Sequence, residues 1–211
     1  MRELSSILPS VEKYYSEKVA AFGSAPRGAD WKSAESQTMR FDQLLRLIQS
    51  DKPFTINDYG CGYGALVDYL DRHNHQFDYR GFDISEKMIS EALRTYGHRA
   101  DCAFFFEKSR LAPADFTIAS GIFNVKLETP ESEWLEYMHA TLNEFTRLSR
   151  KGFAFNALTS YSDAEFMQPH LYYANPLHLF DYCKKNFSRM VSLVHDYPLY
   201  EFTIFVRMGA D

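Results

Sequence analysis

Two acidic residues and a cluster of glycines have a spacing in this sequence that suits the binding of a nucleoside. The segment Asp58-Tyr59-Gly60-Cys61-Gly62-Tyr63-Gly64 lies between an apolar run and residues at helical spacing, and Asp83 ends the next apolar run. Glycines at a strand-to-helix turn let the backbone turn sharply and leave room for a ligand. A carboxylate that ends the following strand, about 20 residues on, can accept both hydroxyls of a ribose. The pattern predicts a nucleoside-cofactor site in a doubly wound α/β domain.

The glycines alone do not decide which nucleoside cofactor is bound. Gly60, Gly62 and Ala65 formally satisfy the G-x-G-x-x-G/A fingerprint of dinucleotide-binding proteins, so a nicotinamide enzyme stays open. Asp58 favours S-adenosylmethionine, because a carboxylate there would repel a pyrophosphate and attract a sulfonium cofactor with an amino group. The late start of the motif and a final pair of strands joined by a turn, which makes the last strand antiparallel, favour the same cofactor.

These segments resemble the class I S-adenosylmethionine-dependent methyltransferases, and more narrowly the small-molecule branch that includes the trans-aconitate methyltransferases. The resemblance rests on the glycine motif, on Gly81-Phe82-Asp83-Ile84-Ser85 with Met88, and on the fourth-strand segment 114–121. It covers roughly residues 35–207. It implies a Rossmann-like, seven-stranded sheet with an antiparallel last strand and an N-terminal helical lid. It also implies direct in-line methyl transfer to a small-molecule acceptor.

The resemblance further implies which residues bind the cofactor. Those in the motifs are Asp58, Gly60, Cys61, Gly62, Gly64, Asp83, Ile84 and Met88. At the ends of the third and fourth strands, Glu107 and Ser120 hold positions that lie beside the cofactor in such proteins, although Glu107 equally suits a solvated strand end.

The N-terminal segment offers candidates for the methionine end of the cofactor. These are Trp31 and Arg40. The side chain of Tyr14 or Tyr15 could also close the site at the methionine end. Arg40 is a candidate because a guanidinium can hold a carboxylate bidentately. The alternative for Arg40 is a surface position on the exposed side of its helix.

Acceptor residues are harder to predict, because transfer from a sulfonium needs alignment more than a particular side chain. A base helps only where the acceptor must lose a proton. The loops after the fourth and fifth strands supply the polar candidates Asn124, Asn156, Tyr161, His170, Tyr172 and Tyr173. His170 is the candidate base, although a loop histidine is more often solvated. We interpret Cys61 as a small turn residue rather than a nucleophile.

Composition limits the domain count and the partners. The 211 residues suit one domain, with N-terminal helices over 1–50 and an α/β core over 51–211. The net charge of −5, with no basic run among the aromatic residues, disfavours a nucleic-acid acceptor. Three cysteines without metal-ligand spacing, and no signal-peptide or membrane-length apolar run, predict a cytoplasmic protein without metal or membrane partner.

Two other functions remain compatible with these motifs. An NAD-dependent oxidoreductase would use the same glycine turn and ribose acid. A non-catalytic methyltransferase-like subunit would bind the cofactor and serve as a partner protein. An open space beside the cofactor would favour the enzyme, and a filled one the subunit.

Overall fold

The computed structural model describes residues 7–25, 28, 33–49 and 51–209. Within these residues six α-helices accompany a single seven-stranded sheet. The strands are β1 (Phe54–Tyr59), β2 (Phe77–Phe82), β3 (Cys102–Phe105), β4 (Ala114–Ala119), β5 (Ser149–Leu158), β6 (Met190–Val194) and β7 (Glu201–Arg207). The helices are α1 (Leu8–Phe22), α2 (Ala34–Leu45), α3 (Ala65–Arg72), α4 (Glu86–Tyr96), α5 (Glu131–Leu148) and α6 (Pro176–Asn186).

The strands follow the order β3-β2-β1-β4-β5-β7-β6. Strands β1 to β5 are parallel to one another, and β7 is antiparallel to both β5 and β6. The direction of strand order reverses between β1 and β4, and open α/β sheets bind ligands outside the carboxyl ends of strands at such a point. The predicted Rossmann-like sheet with its antiparallel last strand is confirmed.

Helices cover both faces of the sheet, and each face has its own apolar cluster. Residues of α2, α3 and α4 pack on one face, whereas residues of α5, α6 and the start of α1 pack on the other. The central strands β1 and β4 are buried at all but one position each. Near-continuous burial is expected for parallel strands that helices cover on both faces.

Two connections differ from a regular alternation of strands and helices. Over its described residues, the connection from β3 to β4 contains no α-helix, only a short 3-10 turn at Lys108–Arg110. Connections between parallel strands usually have a dozen or more residues and contain an α-helix. Between β5 and β6, α6 begins where the side chain of Asn175 accepts the N–H groups of Leu177 and His178. No described helix is both long and apolar enough to span a membrane.

Candidate active site

The glycine turn after β1 forms one wall of a pocket at the carboxyl end of the sheet. Gly60 and Gly62 have φ angles of 84° and 54°, in the region that favours glycine. A Cβ built on Gly62 would meet only Met88 Sδ, at 3.8 Å, so the space in front of this residue is open. The N–H groups of Gly60 and Cys61 both donate to the Phe82 carbonyl, at 2.7 and 2.9 Å. These bonds tie the turn to the end of β2.

Asp83, directly after β2, faces the same pocket and also holds the glycine turn. One carboxylate oxygen accepts the N–H of Gly62 at 2.9 Å, and the other accepts the N–H of Ser85 at 2.9 Å. The residue is only 9% exposed. Burial raises the pKa of Asp83 to about 6; the two N–H groups lower it, and nearby Glu12 raises it.

Asp58 lies on β1 and is the second carboxylate of the pocket, at 3% exposure. Its Oδ2 accepts the Tyr79 hydroxyl at 2.7 Å. Burial raises the pKa of Asp58 to about 7, the Tyr79 hydrogen bond lowers it, and the neighbouring Asp83 raises it further. The pocket therefore contains two carboxylates whose ionised forms a bound cation would stabilise.

The pocket contains about 810 Å³ of space that no atom fills, and part of that space is open to solvent. Helix α1 contributes Val11 and Tyr15 to its lining, and α2 contributes Gln37 and Phe41. The hydroxyl of Tyr63 donates to Gln37 Oε1 at 3.2 Å, which joins α2 to the glycine turn. The two N-terminal helices therefore form walls of the pocket, as predicted for a lid.

Most of the predicted cofactor residues line this pocket. They are Asp58, Gly60, Cys61, Gly62, Asp83, Ile84, Met88 and Ser120. Burial, and then the charges of Asp58 and Asp83, raise the pKa of the Cys61 thiol well above its ordinary value, so it stays neutral as a turn residue would. Trp31 lies outside the described residues.

The predicted contact of Arg40 with the cofactor has no support in the described pocket. Arg40 is 8% exposed and is not among the residues that line the pocket. Its Nε donates to both carboxylate oxygens of Glu201, at 3.0 and 2.9 Å. The alternative of a surface position is wrong, because the guanidinium is buried and bonded to a buried carboxylate.

Gly64 and Glu107 also lie outside the described lining. A Cβ on Gly64 would lie 3.0 Å from the Tyr96 ring and 3.2 Å from the Phe104 ring, so packing accounts for this glycine. Glu107 is exposed, directly before the 3-10 turn that follows β3. Its position corresponds to the solvated strand end that the sequence left as an alternative.

The predicted acceptor residues of the loops do not line the pocket either. The ring of His170 packs against Tyr14 of α1, with ring centroids 6.4 Å apart, so the structure does not bring the candidate base to the site. Asn124 is buried and accepts the N–H of Leu158 at 3.1 Å. Asn156 is fully buried, so Asn124 and Asn156 both belong to the protein interior.

Helices α2 and α5 supply pocket residues that the motifs did not reveal. Gln37 and Phe41 lie one turn apart on α2, on the same side as the buried Leu44, so its apolar periodicity could have indicated them. Tyr137 of α5 lines the pocket without any local signal. Burial raises the pKa of Tyr137 to about 12, so its hydroxyl is protonated at neutral pH.

The sequence is similar to those of known methyltransferases. Residues 58–152 match a family model described as a methyltransferase domain. A protein of Mycobacterium tuberculosis (strain ATCC 25618 / H37Rv), named as methyltransferase Rv1506c, is 49% identical over 166 residues. The matched region spans 79% of this chain and 100% of that protein.

Two solved structures share the fold at low sequence identity. The N-methyltransferase NodS from Bradyrhizobium japonicum WM9, in complex with S-adenosylhomocysteine, has a TM-score of 0.66 at 14% identity over 94% of this chain and 98% of its own. The magnesium protoporphyrin IX methyltransferase from Synechocystis PCC 6803, with bound S-adenosylhomocysteine, has a TM-score of 0.62 at 16% identity over 83% and 84%. With the sheet order, the glycine turn and its two carboxylates, the mycobacterial relative shows that this chain belongs to the class I S-adenosylmethionine-dependent methyltransferases.

Proposed function

We propose that this methyltransferase acts on a small-molecule acceptor that binds in the described pocket. The observation that carries this proposal is the partial cover that the N-terminal helices give the pocket. Residues of α1, of α2 and of the loop after β4 line it together with the glycine turn. A macromolecular acceptor would need an open surface beside the methyl group, whereas small ligands bind in concave sites.

The residues of the pocket fit S-adenosylmethionine. Asp83 would accept the ribose hydroxyls with the lone pairs that Gly62 and Ser85 leave free, and Asp58 would face the amino group. The open space at Gly62 admits the ligand close to the backbone. The hydroxyl of Ser120 is buried and has no hydrogen-bond partner among the described residues, so it can bond a ligand. When bound, this cofactor supplies a methyl group that its sulfonium has already activated.

The lining favours an uncharged or cationic acceptor with apolar surface. Tyr15, Phe41 and Tyr137 present aromatic rings to the pocket, and the charged side chains in its described lining are Asp58 and Asp83. The described lining contains no Arg, Lys or His, so a polycarboxylate such as trans-aconitate would have no cationic partner there. We therefore infer a small-molecule acceptor of a different class from that of the trans-aconitate enzymes.

The role of this chain is to hold and align the two reactants. Alignment of this kind contributes roughly 7–11 kcal/mol to a bimolecular reaction. The walls formed by α1 and α2 would exclude water from the methyl group. The acceptor would lie beside α1, α2 and Tyr137, whose side chains line the pocket together with the cofactor residues.

Calorimetry with purified protein tests the proposal. We expect S-adenosylhomocysteine to bind and NADH not to bind. A panel of amines, phenols and carboxylic acids, incubated with S-adenosylmethionine, should release S-adenosylhomocysteine with an uncharged or amine acceptor. Methylation of a protein or nucleic acid, with none of any small molecule in the panel, would contradict the proposal.

A further inference from the structure

A buried ion pair connects α2 with β7, beside the pocket but outside its lining. Arg40 donates through Nε and Nη2 to the carboxylate of Glu201. Its Nη1 donates to the Ser36 carbonyl at 2.7 Å, so three nitrogens of this side chain are engaged. Glu201 is 1% exposed and Arg40 8%. Charges this deeply buried are stable only when they are paired and hydrogen-bonded.

Asn156 of β5 continues the hydrogen bonds from Glu201 to the pocket. Its Nδ2 donates to Glu201 Oε2 at 2.6 Å, and its Oδ1 accepts the N–H of Gly121 at 2.8 Å. Gly121 lies in the loop after β4 and lines the pocket with Ser120 and Ile122. The ion pair is therefore connected to the pocket wall through a single amide side chain.

The polarity of these groups allows only one direction for the hydrogen bonds. A guanidinium only donates and a carboxylate only accepts, so Asn156 must turn its nitrogen toward Glu201. Its oxygen is then available to the N–H of Gly121, which can only donate. Arg40 and Glu201 thereby determine the orientation of the Asn156 amide, and this amide holds the backbone at Gly121.

The same hydrogen bonds join two walls of the pocket. Gln37 and Phe41 lie on α2 on either side of Arg40 in sequence and line one wall. Gly121 and Ile122 line the other, and Ile122 packs on the glycine turn, since a Cβ built at Gly60 would lie 2.2 Å from Ile122 Cγ2. A displacement of Gly121 would therefore move Ile122 against the turn that binds the cofactor.

We propose that Arg40, Glu201 and Asn156 are positioning residues, which hold the loop after β4 in the shape that binds the methyl donor. None of the three lines the pocket, so each acts through Gly121. This role rests on the proposed function, in which the pocket holds S-adenosylmethionine.

The substitution Glu201→Gln tests the role at almost constant volume. The oxygen of the new amide must face the guanidinium, so its nitrogen meets Asn156. The Asn156 amide must then reverse, and its nitrogen opposes the N–H of Gly121. We expect the dissociation constant of S-adenosylhomocysteine to rise at least tenfold, about what loss of a hydrogen bond with a charged group produces. In the ligand-free variant, hydrogen exchange of the Gly121 amide should accelerate.

A second substitution should rescue the first. Asn156→Asp in the Glu201→Gln background gives a carboxylate that accepts from both neighbours, and it keeps the total charge. We expect the double variant to recover most of the affinity and the slow exchange of the Gly121 amide. Asn156→Asp alone places two buried carboxylates side by side. We expect this variant to bind S-adenosylhomocysteine more weakly than the Glu201→Gln variant and the double variant do.

Thr117→Val is the matched control for a loss of stability. This buried hydroxyl of β4 donates to the Leu148 carbonyl at 3.3 Å and lies outside the pocket lining. Its removal should lower the melting temperature and leave the affinity within about twofold, because one neutral hydrogen bond contributes only about 1 kcal/mol. If Glu201→Gln does not fold, Arg40→Lys replaces it, since lysine keeps the charge without the planar fork.

Three outcomes separate the possibilities. Affinity and Gly121 exchange that do not change in Glu201→Gln would overturn the positioning role. An affinity in the double variant as low as in the single variant would overturn it too. Failure of the unaltered protein to bind S-adenosylhomocysteine would refute the proposed function, while the exchange of Gly121 would still report on the hydrogen bonds.

Discussion

Binding of the methyl donor is expected to tighten as the pH rises from 6 to 8. In the ligand-free chain burial raises the pKa of Asp58 to about 7 and that of Asp83 to about 6. Both carboxyls are therefore partly protonated at pH 6. A ligand with an ammonium beside Asp58 and ribose hydroxyls on Asp83 favours the ionised forms, so binding below these pKa values releases protons.

The magnitude follows from the ionised fraction of each carboxyl. With a pKa of about 7, roughly one tenth of Asp58 is ionised at pH 6 and roughly nine tenths at pH 8. Apparent affinity scales with the fraction of protein in the binding-competent form. Between pH 6 and 8 the ionisation of Asp58 therefore raises the apparent affinity about tenfold, and that of Asp83 raises it about twofold more. We expect the dissociation constant of S-adenosylhomocysteine to fall about 20-fold over this range.

Titration calorimetry in two buffers of different ionisation enthalpy measures both the affinity and the protons released. Release should exceed one proton per ligand near pH 6 and approach zero at pH 8. Asp58→Asn should reduce the pH dependence to the small part due to Asp83. The ligand 5′-methylthioadenosine, which lacks the amino-acid end, should show the same small dependence with the unaltered protein. A dissociation constant that is flat or rises between pH 6 and 8 would refute this reasoning.

Three further substitutions test the site. Gly62→Val should abolish S-adenosylhomocysteine binding while circular dichroism stays native-like, because the side chain would enter the open space at a φ of 54°; normal binding would leave Gly62 with only a turn role. Asp83→Ala should weaken this binding by about 1.5–3 kcal/mol, and urea unfolding should show lower stability because Gly62 and Ser85 lose their acceptor. Unchanged affinity would contradict the ribose role. Asp58→Asn should raise the free energy of unfolding at pH 8 but not at pH 4, since stability held by the protonated acid is lost as pH rises through about 7; a variant that is less stable at both values would count against it.

The donor half of the site could be predicted because its determinants are local in the sequence. Asp58 to Gly64 form one strand-to-helix turn, and Asp83 follows the next strand directly. Once the apolar runs are assigned to parallel strands, β1 and β2 must end at the same edge of the sheet, and Asp83 bonds Gly62 across that edge. No long-range information is needed to bring these residues together.

Helices with weak periodicity could not be predicted in the same way. In α6 only Pro176, Leu179 and Cys183 are buried, so the apolar face of this helix is hard to see in the sequence. Tyr137 illustrates a second difficulty. It lies on α5 next to residues of the core cluster, and only the packing of α5 against the sheet shows that its ring reaches the pocket.

Arg40 shows most directly why the contacts of the N-terminal segment escape prediction. Its partner Glu201 is 161 residues away in the chain, and only the insertion of β7 between β5 and β6 brings Glu201 beside Asn156. From local sequence alone, an arginine on an amphipathic helix is expected to contact either a ligand or the solvent. A third possible partner is a buried carboxylate, and whether one lies nearby depends on the strand order. Polar residues that stand near a pocket in sequence can thus serve its shape rather than its ligand, and a chain of donors and acceptors with a forced direction is the sign of that role.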